Sequence, residues 1–420
     1  MIASIEPAPR RGVTALVLVT ATLAALALTG YRCFRSDHIT QVPMLWRSID
    51  PALFARDWFL SGPAHYSTRA IFFRLERLLM TVMTLELALF VQFLVYLFAY
   101  VSAMWITCRR LGRGPAVFAL WVLFAAAARE FGSLAAVDVL EDLTIPRMYS
   151  YAASMWAIPL LLGGHHLAAG LVLGLAGLIH AAPSIQFLLV AAAWLLTMRG
   201  SRGGLRGAGV MAAAFAICYW PQAILLSDVI SSHLYSPQEV IRWLALVRHP
   251  HHMLPSEFSG RDYAQMLSLL AFAAALAHSR RADAGDRAML RLAGVLTVYV
   301  AISCVFIEVI PVATWIAFQP LRMFAIFRMP LFFLVAGHVA QLLRSGRRGD
   351  LARGVLTALA ALNVDNEKGA ILTGYLLIEA LLVASARWLG EQAHGRLCGA
   401  ATLLSVGLWW PHGRSRTVMA

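Results

Sequence analysis

The 420-residue chain is 60% hydrophobic and only 14% charged, against about 25% charged residues in a soluble domain, and its mean hydropathy is +0.70. Apolar runs near the ~20 residues needed to cross a bilayer recur throughout, which excludes a soluble enzyme and predicts an all-α, polytopic transmembrane helix bundle. The net charge of +13 comes almost wholly from arginine in short connectors (Lys368 is the only lysine), a pattern that fits topology and lipid head groups and no nucleic acid partner.

Arg10 and Arg11 precede the first apolar run, 13–30. Ala25 and Ala27 faintly imitate a signal-peptidase site, but the run is long for a signal sequence and reads as an uncleaved anchor. Further runs follow near 79–107, 116–128, 148–162, 167–182, 184–198, 208–227, 263–279, 292–316, 324–343, 354–363, 370–386 and 397–410. They predict about 11–13 spans in a single integral membrane domain covering 1–420, with no internal repeat, linker or soluble domain. The five cysteines stand far apart without CxxC spacing, so no disulfide or metal framework is expected.

With the N-terminus inside, alternate connectors read "CRRLGRG", "RGSRGGLRG", "HSRRADAGDR" and "RSGRRGDLARG". These are short and arginine-dense, as cytoplasmic loops are. The opposite, extracytoplasmic side then receives the two longest connectors, 31–78 and 228–262, together with 129–147. Both long loops hold Trp, Tyr, Pro and His at membrane-interface density. Within the first, "RAIFFRLERLL" (69–79) has the spacing of a helix lying on the outer surface; the plainer alternative is the start of the next span.

Residues that carry chemistry concentrate in those outer loops. In "SDHITQVPMLWRSIDPALFARDW" (36–58), Asp37 follows the first span by about two helical turns. A carboxylate there is partly desolvated, which suits a general base; the plainer alternative is a solvated acid beside Arg35. His38 is its immediate neighbour. Asp50 precedes Pro51 and predicts a helix N-cap, while Asp57 is either a second functional acid or a partner for Arg56. The second long loop contains "RHPHHMLPSEF" (248–258), where His249, His251, His252 and Glu257 form the densest group of metal-ligand types in the chain. A solvated loop, a phosphate contact and a divalent cation all remain open there, and no cofactor is specified by these residues.

Three more positions come from span ends. Arg147 stands where the chain re-enters the membrane after Pro146, and arginine suits phosphate because it is always charged and donates in a fork. An interfacial arginine reaching for head groups is the alternative. His180 ends a span in "LAGLIHAAPS", where a packed, hydrogen-bonded histidine competes with a ligand. "FQPLRMFAIFRMP" (318–330) adds Gln319, Arg322 and Arg328, the last about two turns inside a span, where a buried arginine requires a function or a fixed partner such as Glu308. GxSxG, P-loop, HExxH and dinucleotide motifs are absent.

Taken together, "SDHITQVP", "DLTIPR", "LGLAGLIHAAPS", "RHPHHMLPSEF" and "QPLRMFAIFR" resemble the GT-C superfamily of membrane glycosyltransferases, over about residues 13–345, and look most like an uncharacterised bacterial branch of it. The resemblance implies a GT-C-like bundle with interfacial helices in its outer loops, set in the bacterial inner membrane. It implies sugar transfer from a polyprenyl-phosphate-linked donor to a hydroxyl of a glycan, lipid or protein acceptor on the outer face. Carried onto this chain, Asp37 becomes the base, and Arg147, His252, Arg322 and Arg328 become donor-phosphate candidates. The rival readings are a multi-span transporter, which predicts repeats with interrupted helices, and a non-catalytic membrane protein of envelope assembly.

Overall fold

The computed structural model describes residues 11–57, 60, 63–128, 132, 134–231, 236–248, 250–279, 282–362, 369–386, 388–389 and 391–409, and among them every regular element is a helix. The first span is α1 (Arg11–Thr29). The first long connector carries α2 (His38–Ile49) and α3 (Pro63–Leu79), followed by α4 (Leu85–Arg110), α5 (Pro115–Ala127), α6 (Pro146–Leu162), α7 (His166–Ile179) and α8 (Ala181–Ser231). The second long connector holds the single turns α9 (Pro237–Val240) and α10 (Pro250–Met253) around a π-helical stretch, Ile241–Arg248. Then come α11 (Gly260–His278), α12 (Ala284–Cys304), the short α13 (Ala313–Ala317), α14 (Phe324–Arg344), α15 (Arg348–Leu362), α16 (Gly369–Ser385) and α17 (Glu391–Trp409).

Among the described residues each of the thirteen expected apolar runs is mainly helical, with turns breaking 79–107 at 80–84 and 292–316 at 310–312. Among the described residues six stretches are long and apolar enough to cross a membrane: Gly12–Thr29, Leu85–Arg110, Ala181–Met198, Arg202–Leu225, Ala284–Val309 and Pro320–Arg344. Pro115–Ala127, His166–Ile179 and Thr373–Ser385 are apolar but shorter. The 11–13 crossings expected are thus met in length by six helices, the others being shorter or more polar.

Local chemistry sets the helix ends. Thr84 accepts the Leu87 N–H at 3.4 Å and starts α4, which ends on Arg109 and Arg110, charges that suit a helix C-terminus. Asp283 and Asp286 form a capping box at the start of α12, and Pro146 occupies the first turn of α6. Within α14 the run Phe324–Ala340 is buried at every position, and the helix is the axis around which α5, α11, α12 and α15 pack.

α8 is helical throughout yet doubles back. A Cβ on Gly204 would come 2.8 Å from Leu196 Cα, whereas a straight helix separates residues eight apart by about 12 Å. The glycine-rich "RGSRGG" therefore reverses the chain, and the two limbs are separate candidate spans. The second limb runs beside α7 in the same direction. Gly170, Gly174 and Gly177 meet Met211, Phe215 and Tyr219 in order, so closely that a Cβ on Gly170 would collide with the Met211 carbonyl. Small residues at this spacing let helix backbones approach without a side chain between them.

The arginine-dense connectors gather at one end of the bundle. Arg113 pairs with Asp283 at 2.8 Å and also with Asp286. The Arg344 guanidinium approaches Gly114, that of Arg110 lies against Gly163, and the His166 ring faces Gly207. Nearby, α14, α15 and α16 are clamped by a buried ionic group. Glu379 takes hydrogen bonds from His338 at 2.8 Å and from Arg353 at 2.6 Å. Such a network fixes helix register and leaves a costly orphan charge if either partner is removed.

At the opposite end, α2 and α3 lie across the mouth of the bundle, burying Met44, Leu45, Phe72 and Phe73 against Leu85 and Leu89. A turn over 80–84 separates α3 from α4, so 69–79 is a helix of its own and not the start of the next span. Asp50 departs from expectation. Its carboxylate does accept the Ala52 N–H at 2.9 Å, but the segment that follows is a run of turns with Phe54 at positive φ, so the residue closes α2 as its C-cap and starts a turn, not a helix.

Two outcomes are expected. In a cysteine-free background, Ser345→Cys at the arginine-rich end should be shielded from an impermeant thiol reagent applied to intact cells, and Ser256→Cys should react. Reversed labelling would place the arginine-dense connectors outside. The second concerns Glu76 of α3, fully buried with Gln92 Nε2 at 2.9 Å as its partner. Burial outweighs the Gln92 hydrogen bond and pushes its carboxyl from 4.5 up to about 7. The folded state therefore keeps a proton that the unfolded chain loses. Stability should be fully present below 4.5 and fall as pH rises to about 7, by at most about 3 kcal/mol. Glu76→Gln should remove that slope from detergent melting curves.

Candidate functional site

The end of the bundle opposite the arginine-rich connectors brings together residues from five separate segments. The chain leaves α1, passes Phe34 and Ser36 in left-handed conformations (φ 57° and 51°), and presents Asp37 at the start of α2. Those two positive φ values in non-glycine residues fold the loop back against 141–147. There Arg32 bonds Asp142 twice, N–H to carbonyl at 2.7 Å and guanidinium to carboxylate at 3.1 Å.

Arg147 is the centre of the group. Its Nη1 donates to Asp37 Oδ2 at 2.7 Å, and on its other side Nε and Nη2 donate to the two oxygens of Glu141 at 2.6 and 3.2 Å. One guanidinium thus bridges two carboxylates from different loops. Arg322, in the turn ahead of α14, and Arg69 of α3 add their positive fields to the same point. Burial alone would raise the Asp37 carboxyl; the guanidiniums of Arg147, Arg322 and Arg69 outweigh it and hold Asp37 below the ordinary carboxylate value. For Glu141 burial wins over the Arg147 pairing and the carboxyl is raised.

His180 faces this cluster from the start of α8. Burial first, then Arg322, Arg69 and Arg147, push its imidazole down to about 3, so it is neutral at physiological pH. Its carbonyl accepts the Ser150 hydroxyl at 2.8 Å, and Ser184 in turn donates to Ser150 at 2.9 Å. The His180 Nδ1 and Arg322 Nε atoms are both buried without a hydrogen-bond partner. Both atoms therefore have hydrogen-bonding capacity to spare beside Asp37 and Arg147.

Asp37 and Arg147 are in direct contact, and the charge of Arg322 acts on Asp37, Arg147 and His180. Other candidates are placed differently. His38 is buried with both ring nitrogens engaged: Phe34 N–H donates to Nδ1 at 3.1 Å and Nε2 faces Thr144 O at 2.7 Å, which fixes Nε2 as the protonated nitrogen. Burial keeps its pKa below the ordinary value. His252 Nδ1 lies 2.6 Å from Ala135 O, with the His251 ring against it. Arg328 is fully buried and donates to Val137 O and to Phe324 O at 3.3 Å. The suggested Arg328–Glu308 pair does not form: Glu308 instead accepts Ser256 N–H and Oγ–H at 2.8 and 2.6 Å.

His38, His252 and Arg328 thus share a pattern. Each contacts a main-chain carbonyl of the stretch 134–145, which contains the left-handed residues Ala135 and Ala136 and little regular structure. Buried irregular backbone must find donors from elsewhere, and these side chains supply them. What they support is the loop that carries Glu141.

Gln319 caps the turn of Arg322 in a left-handed conformation (φ 51°), with its carbonyl accepting Arg322 N–H at 3.1 Å. Asp57 is exposed, and its carboxylate accepts the Leu60 N–H at 3.2 Å. His249 lies outside the described residues. A divalent cation finds no fitting donor set: among the described residues no three His, Cys, Asp or Glu side chains converge, and Asp37 and Glu141 already share Arg147. Sequence reasoning missed Glu141 and Arg69. Glu141 stands in "EDLTIPR", an acidic pair just ahead of the arginine, while Arg69 was legible only as one basic residue on an amphipathic helix.

Comparison of the chain with family models, with curated proteins and with solved structures finds no match in any of the three. Function therefore rests on the site itself.

His180 yields a test of this electrostatic arrangement. Its contribution to stability is fully present above the unfolded histidine value of about 6.5 and is lost as pH falls from there towards about 3. His180→Gln, which cannot titrate, should flatten the melting curve over that interval. The wild-type ring should show no protonation by histidine NMR between pH 8 and 5.

Proposed function

We propose that the protein is a GT-C-type membrane glycosyltransferase that moves a sugar from a polyprenyl-phosphate donor to an acceptor hydroxyl, in the bacterial inner membrane. Its N-terminus is cytoplasmic, the chain crosses about 11–13 times counting the shorter helices, and the site faces the extracytoplasmic side. The observation that carries this reading is the pairing of Asp37 with Arg147, under the added positive field of Arg322 and Arg69, at the end of the bundle opposite the arginine-dense connectors.

The reaction asks for those groups. A sugar carbon that loses phosphate to an incoming hydroxyl needs a proton acceptor on the nucleophile and positive charge on the departing oxygens. Asp37 is the acceptor, and Arg147 and Arg322 are the phosphate partners, with Arg69 adding charge from α3. Neutral His180 contributes a polar imidazole without adding to the positive charge. A lipid-borne donor fits the surroundings, since Ile39 and Trp46 of α2 and Trp243 and Leu246 of the π-helical stretch are exposed apolar residues in the two long loops.

Asp37→Asn keeps the shape and removes proton acceptance, so turnover of a polyprenyl-phosphate sugar in membranes should fall by about 10²–10⁴ while protein level holds. Asp50→Asn, in a turn away from this cluster, should leave turnover unchanged. Activity that survives at Asp37 and disappears at Asp50 would reassign the base. Absence of any sugar transfer in wild-type membranes supplied with a range of polyprenyl-phosphate sugars would end the glycosyltransferase reading.

A further inference from the structure

The carboxylate that this reaction needs as a base is held in an ion pair. Asp37 Oδ2 lies 2.7 Å from Arg147 Nη1, and a carboxylate so paired is a weak proton acceptor. Arg147 cannot follow a moving Asp37, because Glu141 grips its Nε and Nη2 from the other side at 2.6 and 3.2 Å. The other titratable groups that act on Asp37 include Arg322 from the turn before α14, Arg69 from α3, the neutral His180 and His38, whose two ring nitrogens are engaged elsewhere. Asp37 and Glu141 share the single guanidinium of Arg147, with Arg322 and Arg69 adding positive charge nearby. Arg322 Nε is buried with no acceptor, so an anion with several oxygens meets both the charge and the unfilled donor.

Building on the glycosyl-transfer reading, we propose that the donor phosphate displaces Asp37 from Arg147, so that donor binding itself turns Asp37 into a base, with Glu141 as the positioning residue that keeps Arg147 in place. The phosphodiester spreads its oxygens over Arg147 Nη1 and Arg322 Nε. Asp37, released, accepts the proton of the acceptor hydroxyl. The acceptor oxygen forms its bond to the anomeric carbon as the bond from that carbon to the phosphate oxygen breaks. The electron pair leaves on the phosphate, whose added negative charge the three arginines receive. The proton stays on Asp37 and passes to water as the products depart. The donor must bind before the acceptor reacts, which keeps the base paired whenever no sugar is present to transfer.

Purified protein in detergent, titrated with a prenyl monophosphate, tests the competition without requiring turnover. Coupling between two sites is reciprocal, and an ion pair that moves a carboxyl by one to three pKa units implies roughly tenfold or more tighter prenyl-phosphate binding in Asp37→Asn than in wild type. Asp37→Ser should behave the same way and guards against a folding defect in one variant, with Asp50→Asn unchanged. Equal or weaker affinity in both Asp37 variants overturns the proposal. Inorganic phosphate as a parallel probe should bind more weakly than the prenyl ester; equal affinities would overturn a lipid-borne donor.

Kinetics supply the second arm. The acid limb of kcat reports Asp37 with phosphate bound and that of kcat/KM reports it without, so the kcat limb should lie at higher pH. Glu141→Gln should shrink that separation by letting Arg147 follow Asp37, and Glu141→Asp should restore part of it; coincident limbs in the wild type overturn the proposal. The two readings fail separately. Tighter binding in Asp37→Asn without any sugar transfer leaves the competition standing and removes the glycosyltransferase. Wild-type transfer with unchanged binding and coincident limbs does the reverse.

Discussion

Arg147 shared between Asp37 and Glu141 is the interaction on which the candidate site depends. The two carboxylates arrive from different directions, one from the loop that leaves α1 and the other from the irregular stretch before α6. A side-chain amide in place of the guanidinium would offer two donors at most, and a lysine would offer a point charge without the planar fork. The arginine joins both loops and fixes their spacing, while Arg322 and Arg69 add positive charge nearby. On the reading proposed above, that added charge, at the edge of a low-dielectric bundle, is what would draw an anion to the place. Exposed pairs contribute little because water screens them; here Glu141 and the arginine are largely removed from water.

The stretch 134–145 carries the cost of this arrangement. It crosses the mouth of the bundle with few internal hydrogen bonds, so its carbonyls are met by side chains drawn from three other segments: His38 from α2, His252 from α10 and Arg328 from α14. These contacts tie α2, α10 and α14 to the loop that delivers Glu141. The two long connectors and the central helix are therefore coupled through one irregular segment, and a change in any of its supporting donors reaches Arg147 indirectly.

Much of the fold was legible in the sequence because a bilayer demands long apolar runs and short basic connectors, and both are one-dimensional signals. Among the described residues each of the thirteen runs is mainly helical, and the basic connectors do gather at one end. The reversal inside α8 was marked by "RGSRGG", since glycine permits the close approach of Gly204 to Leu196. The site was legible only in part. Asp37 and Arg147 each stood at a recognisable span boundary. Whether an arginine serves a ligand or the backbone, by contrast, depends on what the fold places opposite it. Arg322 and Arg328, six residues apart, show the difference: the first keeps a buried Nε without an acceptor, while the second is spent on Val137 and Phe324. Asp50 shows the same limit on a local scale. The "DP" pair correctly announced a cap, but the turns that follow, with Phe54 in a left-handed conformation, prevent the helix that would have completed it.

The burial pattern also explains why the charges stay at this end. Further along the bundle α14 is enclosed from Phe324 to Ala340, and the ionisable side chains of that stretch have fixed partners, Arg328 on carbonyls and His338 on Glu379. A mobile, exchangeable ion pair is tolerable only where water or a ligand can take over one side, and the loop end is the place that meets that condition. Arg147 is partly accessible and Asp37 more so, at 19% and 39% of the side chain, against 4% for Glu141. The exposure runs in one direction across the guanidinium: its Glu141 side is sealed and its Asp37 side is open. An anion approaching Arg147, as the proposal requires, would come from the Asp37 side and meet the bond to Asp37 first, while the bonds to Glu141 remain out of reach.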